Sequence, residues 1–230
     1  MSTTTSTQKL EAALAAIAAA GDEGRRIFTR LYLETARTAA LAADRRAASG
    51  QPLGPLDGRI VSIKDLFDVA GEATTAGSAL LRDAAPATQD AVVVSRLRAA
   101  GAVIIGKTNM TEFAFSGVGI NPHYGTPGNA LDISRIPGGS SSGAGVSVAR
   151  GMAEIAIGSD TGGSVRIPSA LNGLVGFKPT QARVTREGAF PLSFTLDTLG
   201  PLCRSVADAA ATDSVLAGIT HEALPQRAVR

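Results

Sequence analysis

Four short runs of aliphatic and β-branched residues, at 59–63, 102–105, 154–157 and 174–177, alternate with helix-like segments such as 89–100 and 143–150. Strands this short, separated by helices, predict an α/β fold with a mostly parallel or mixed sheet flanked by helices. The remaining segments fit around that alternation. Residues 1–8 are polar and read as a frayed start. Residues 10–20 are Ala-rich, but Glu11 interrupts them and only Lys9 precedes them, so they read as a surface helix rather than a secretory leader. A second helix is expected over 25–47, with Ile27, Leu31, Leu33, Ala36, Ala40 and Ala43 mostly on one face. Gly and Pro make 50–57 a loop. A last helix is expected over 205–217, followed by a polar tail at 221–230. With no internal repeat and no linker, 25–220 reads as one domain and 1–24 as an N-terminal helical extension.

Composition narrows the functions open to such a fold. Of 230 residues, 44% are hydrophobic and 18% charged, which suits a folded chain with a sizeable core. Apolar runs stay short of the roughly 18–20 residues of a membrane span, so no membrane partner is expected. The net charge of +2 forms no basic cluster, which disfavours direct contact with nucleic acid. The lone cysteine, Cys203, excludes a disulfide framework and a multi-thiolate zinc site, and two histidines, His123 and His221, leave little for any metal. A cytoplasmic location is the expectation.

Two motif matches fail on context. GAVIIGKT (101–108) has the spacing of a phosphate-binding loop, yet residues 102–105, which should expose amides to phosphate, read as a buried strand. GSSSG (139–143) has the spacing of a nucleophile elbow, which needs an acid and then a histidine downstream; only His221 follows, on the polar tail. His123 precedes it in a loop of turn residues, where a histidine bonded to backbone is the simpler reading. Neither nucleotide binding nor a Ser-His-Asp triad is expected.

The densest chemical signal is PGGSSSGAGVSVARGMAEIAIGSDTGGSVRIP (137–168), two Gly–Ser stretches around a helix-like segment and a short apolar strand. Where no Cβ intervenes, backbone N–H groups can approach a ligand closely. Thr161, Gly162, Gly163 and Ser164 would present successive amides just beyond a strand end, where ligands sit in open α/β sheets. A serine there can attack a carbonyl whose oxyanion those amides hold. A glycine-rich turn with a helix N-cap serine fits the same letters, and both readings stay open on the residues alone. Without histidine, a lysine can serve as the base if its pKa is lowered by desolvation or neighbouring positive charge. Lys64 closes the apolar run VSIKDLFDV; Lys9 lies near the start, Lys107 follows a strand, and Lys178 precedes Pro179, the last two reading as surface or loop lysines. Asp160 and Arg166 flank the nest as supports of the loop, Arg166 with some prospect of meeting substrate.

Segment 138–164 closely resembles the signature of the amidase signature family of serine hydrolases. So do SIKDLFDVAG (62–71), GAVIIGKTNMTEFA (101–114), GLVGFKPT (173–180) and LDTLGPLCRSVADAA (196–210), in the family's order across 50–217. The resemblance implies a Ser-Ser-Lys triad with Lys64 as base, Ser140 as the bridging serine after a cis Gly139–Ser140 peptide, and Ser164 as the acylated nucleophile. Neutral Lys64 would take a proton through Ser140 while the amides of Thr161, Gly162, Gly163 and Ser164 hold the oxyanion, with no metal or organic cofactor. The substrate would be a small linear carboxamide, cleaved to a carboxylic acid and ammonia or an amine. Family members are about twice as long, so the chain corresponds to their N-terminal half, an incomplete amidase-signature domain. Two alternatives accompany this reading: a truncated, non-catalytic half-domain needing a complementing chain or a homodimer, and the A-type subunit of a tRNA-dependent amidotransferase.

Overall fold

The computed structural model describes residues 4–219. The chain runs α1 (Ser6–Ala19), α2 (Asp22–Ile27), β1 (Phe28–Leu31), α3 (Leu33–Ala48), β2 (Ile60–Lys64), α4 (Val92–Ala99), β3 (Val103–Thr108), α5 (Ser142–Ala149), β4 (Ile155–Asp160), α6 (Arg166–Leu171), β5 (Val175–Gly176), β6 (Thr198–Cys203) and α7 (Val206–Ala217). The strands form one mixed sheet in the order β1-β3-β2-β4-β6-β5. Its centre, β3-β2-β4, is parallel, and the outer pairs β1–β3, β4–β6 and β5–β6 are antiparallel. The fold class matches the α/β expectation. Parallel alignment has one consequence for the site: the C-terminal ends of β2 and β4, carrying Lys64 and Asp160, meet at the same edge.

Side-chain alternation divides the core between the two faces of the sheet. Val61, Ile63, Ile104, Ile155 and Ile157 pack against Val93, Val94 and Leu97 of α4 and Leu216 of α7. On the other face Ile60, Val103 and Ile105 meet Leu10, Ala13 and Ile17 of α1 and Ala36 and Ala40 of α3. Each such aliphatic side chain contributes roughly 1.5–3 kcal/mol by leaving water. A third cluster, Ala144, Val148, Ala156, Val165 and Leu202, joins α5 to the sheet. No helix among the described residues is long and apolar enough to cross a membrane.

Two local expectations change, and one strand is new. Instead of a frayed start, Thr5 and Gln8 form a capping box, and the amides of Ser6 and Thr7 donate to Asp44. The helix expected over 25–47 is interrupted by β1, which pairs Phe28 with Thr108 and Leu31 with Gly106. A Cβ at residue 106 would sit 2.2 Å from the Arg30 carbonyl oxygen, so the second glycine of the phosphate-loop-like motif serves close strand approach. β6 carries Gly200 and Pro201, both strand breakers by composition, yet it is fully buried beside β4. The polar tail at 221–230, with His221, lies outside the described residues.

Candidate active site

Lys64 is the last residue of β2, and none of it is exposed. Its Nζ lies 2.7 Å from Ser140 Oγ and 2.8 Å from Ser159 Oγ. Burial pushes its pKa down to about 7, against the opposing pull of the negative charges of Asp160 and Asp197. A neutral amine has two hydrogens and one lone pair. With Ser159 accepting one hydrogen, the lone pair is free to accept the Ser140 proton.

Ser140 follows a cis peptide bond, Gly139–Ser140, and precedes Ser141, the N-cap residue of α5. The segment is fixed from both sides. Thr111 N–H donates to the Ser140 carbonyl at 3.0 Å, and Gly139 N–H donates to Gly117 O at 2.8 Å. A Cβ at residue 139 would lie 2.6 Å from Gly119 N, so only glycine permits this approach. Ser141 N–H donates to the carbonyl of Ser164 at 3.3 Å, which ties the two Gly–Ser stretches together beside the serine.

The turn at 161–164 joins β4 to α6. Asp160, wholly buried, holds it as a clamp. Its Oδ1 accepts from Gly163 N–H at 2.8 Å and from Arg166 Nη2 at 2.9 Å; its Oδ2 accepts from Val165 N–H at 3.1 Å and Arg166 Nε at 3.0 Å. Burial works against this carboxylate, but Arg166 and the backbone amides together hold it below the usual carboxylate range. Gly163 therefore departs from the expected oxyanion role, since its N–H is spent on Asp160. The amides of Thr161, Gly162 and Ser164 have no acceptor among the described residues. Ser164 itself is 7% exposed. The fold brings Lys64 and Ser140 into hydrogen-bond contact and Ser164 alongside them through backbone. No side-chain hydrogen bond joins Ser140 to Ser164 among the described residues.

Two site residues escape sequence reasoning. Ser159, one residue before Asp160 on β4, is the second partner of Lys64, and the only cue to it is a polar residue at the end of an apolar strand. Asp197, buried just before β6, accepts hydrogen bonds from the Thr161 hydroxyl, Leu192 N–H at 2.8 Å and Ser193 N–H at 3.0 Å. Ser159 and Asp197 both line a cavity of about 380 Å³, whose walls include Leu66, Phe190, Phe194 and Leu199.

Other expectations need correction. Lys107 is neither a surface nor a loop lysine: it lies in β3, 2% exposed, with Nζ 3.5 Å from Asp65 Oδ1 and 3.9 Å from Glu72 Oε2. His123 directs its ring at Glu112, 3.0 Å away, rather than at backbone.

Residues 8–229 match the model of the Amidase family. A glutamyl-tRNA(Gln) amidotransferase subunit of the A type, from Anaeromyxobacter dehalogenans, is 48% identical over 93% of this chain and 43% of its own length. AtzE, a subunit of the 1-carboxybiuret hydrolase of a Pseudomonas species, is also 48% identical, over 78% of this chain and 39% of its own length. The structure of native peptide amidase from Stenotrophomonas maltophilia superposes with a TM-score of 0.85 at 42% identity, covering 97% of this chain and 48% of that enzyme. The chain thus spans less than half the length of each of these relatives.

Proposed function

The chain belongs to the Amidase family, and from that premise we propose that it hydrolyses the C–N bond of a small linear carboxamide through an acyl-enzyme on Ser164. The observation that carries this reading is the wholly buried Lys64 amine placed between two serine hydroxyls, 2.7 Å from Ser140. A lysine pushed down to about 7 is populated as the neutral base near neutral pH. Ser164 Oγ attacks the carbonyl carbon, its proton passes to Ser140 Oγ, and the Ser140 proton passes to Lys64 Nζ. Free amides of the 161–164 turn receive the oxyanion. The C–N bond then breaks as the relay returns its proton to the departing nitrogen. Water, deprotonated along the same path, cleaves the ester to release the acid. Every step uses side chains and backbone of this chain.

Labelling with a serine-directed fluorophosphonate, read by intact mass, tests the proposal without knowledge of the substrate. Wild type gains one adduct and Ser164→Ala gains none. A folded wild-type protein that takes up no probe refutes it.

A second reading is favoured by the relatives named as amidotransferase subunits. In it the same triad releases ammonia from glutamine, and the chain works alongside partner subunits. Glutamine-dependent ammonia release that appears only with co-purifying subunits distinguishes it from a stand-alone amidase acting on simple amides.

A further inference from the structure

We propose that Asp197 is a positioning residue of this site, holding the 161–164 turn in register with the 190–194 segment, whose Phe190, Pro191 and Phe194 line the neighbouring cavity. The inference rests on the amidase reading above and adds to it a residue outside the triad and the oxyanion turn.

The geometry is that of a junction. Asp197 is buried at the entry to β6, where Thr198 pairs with Asp160 and its hydroxyl donates to the Asp160 carbonyl at 2.8 Å. From that anchored position its carboxylate reaches two ways. Towards the turn it accepts the Thr161 hydroxyl. Towards the 190–194 segment it accepts the amides of Leu192 and Ser193, which lie between the cavity-lining Pro191 and Phe194. Asp160 secures the turn at Gly163, Val165 and Arg166, leaving Thr161 and Gly162, whose amides are open, to be secured elsewhere. The Thr161–Asp197 bond supplies that constraint. A donor pair misaligned by a fraction of an ångström loses much of its worth to a developing oxyanion.

Charge gives the same residue a second effect. Lys64 faces the hydroxyls of Ser140 and Ser159 and the carboxylates of Asp160 and Asp197. Asp160 is bidentate with Arg166, and Asp65, next in sequence to Lys64, is paired with Lys107 of β3. Asp197 has no ion pair among the described residues. Arg186 and Glu187 share the wall of its cavity, and Arg186 donates to the Ser193 carbonyl at 3.2 Å. The Asp197 carboxylate, with no ion pair among the described residues, favours the ammonium form of Lys64.

The test is the rate of fluorophosphonate labelling against pH for wild type, Asp197→Asn and Thr161→Val. Wild type should rise to a plateau with an acid limb near pH 7 as Lys64 loses its proton. Asp197→Asn should lower the plateau at least tenfold and move the acid limb down by about one pH unit, because a negative charge near the amine is gone. Thr161→Val keeps that charge, so it should lower the plateau with the acid limb unmoved. A purely structural role would lower Tm while leaving the limb in place for both variants. Asp197→Asn with wild-type plateau and limb overturns the inference alone. A wild-type protein that never labels overturns the amidase reading and this inference with it. If Asp197→Asn does not fold, Thr161→Val decides: a lowered plateau at wild-type Tm supports the positioning role, and an unchanged plateau overturns it.

Discussion

Lys64 and Lys107 lie near the C-terminal ends of adjacent parallel strands, with Ile63 opposite Lys107 and Lys64 opposite Thr108. Both are almost wholly buried, at 0% and 2% exposure. Their surroundings differ in one respect. Lys107 has two carboxylates at ion-pair distance, Asp65 at 3.5 Å and Glu72 at 3.9 Å. Lys64 has two hydroxyls in direct contact, and the carboxylates that act on it, Asp160 and Asp197, make no contact with its amine. Burial alone thus does not make a base. Burial beside hydroxyls, with counter-charge held at a distance, lowers the pKa of the Lys64 amine, whereas Lys107 has carboxylates beside it as ion-pair partners.

Replacing each lysine by methionine should separate these roles. Lys64→Met removes the base, and Ser164 labelling should fall by about 10³-fold or more. Stability should move the other way. The folded pKa of Lys64, about 7, lies below the ordinary lysine value of 10.5, so the unfolded chain binds more protons between those two pH values. Wild type therefore gains stability as pH rises through that window and carries the full penalty below it. The Tm advantage of Lys64→Met should be largest near pH 7 and shrink towards pH 10, as thermal melts would show; an advantage independent of pH would break the comparison.

Lys107→Met should do the reverse. Removing one partner leaves Asp65 buried without its nearest cation, a loss of about 3 kcal/mol in urea unfolding. Burial already pushes the Asp65 carboxyl up, and Lys107 is the principal charge restraining it. Labelling per folded molecule should stay near the wild-type rate. A fall of about 100-fold with stability intact would show that Lys107, too, serves the site.

The contrast also marks how far the residues can be read without coordinates. The strand runs at 59–63, 102–105 and 154–157 are found one to three residues from the β2, β3 and β4 boundaries, because short apolar runs between helices leave few alternatives. β1 is hidden inside a helix-like stretch and β6 behind Gly200 and Pro201, since both owe their existence to pairing with strands distant in sequence. The site divides in the same way. Asp160 and Gly163 act on neighbours within a few residues, so local sequence brings them to notice. Lys64 meets Ser140 and Ser159 across separations of 76 and 95 residues, and position at the end of an apolar run makes it only a modest favourite over the other lysines. Family resemblance supplies Lys64 and Ser140, and nothing local supplies Ser159 or Asp197.

Ser159→Ala should produce the smallest effect, and its sign is the most informative. An ammonium has three hydrogens to satisfy and an amine two, so losing an acceptor penalises the charged form more. The acid limb of labelling should therefore move below its wild-type position near pH 7. The plateau should still fall, by about fivefold, because a net hydrogen bond worth about 1 kcal/mol no longer aims the lone pair at Ser140. Ser62→Ala is the matched control. Ser62 sits two residues before Lys64 on the same strand, and its hydroxyl bonds that of Ser147 at 3.0 Å rather than the Lys64 amine. It should cost a similar amount of stability and leave both limb and plateau unchanged. Equal effects of the two substitutions on labelling would mean that Ser159 matters as strand packing, and Lys64 would then be oriented by Ser140 alone.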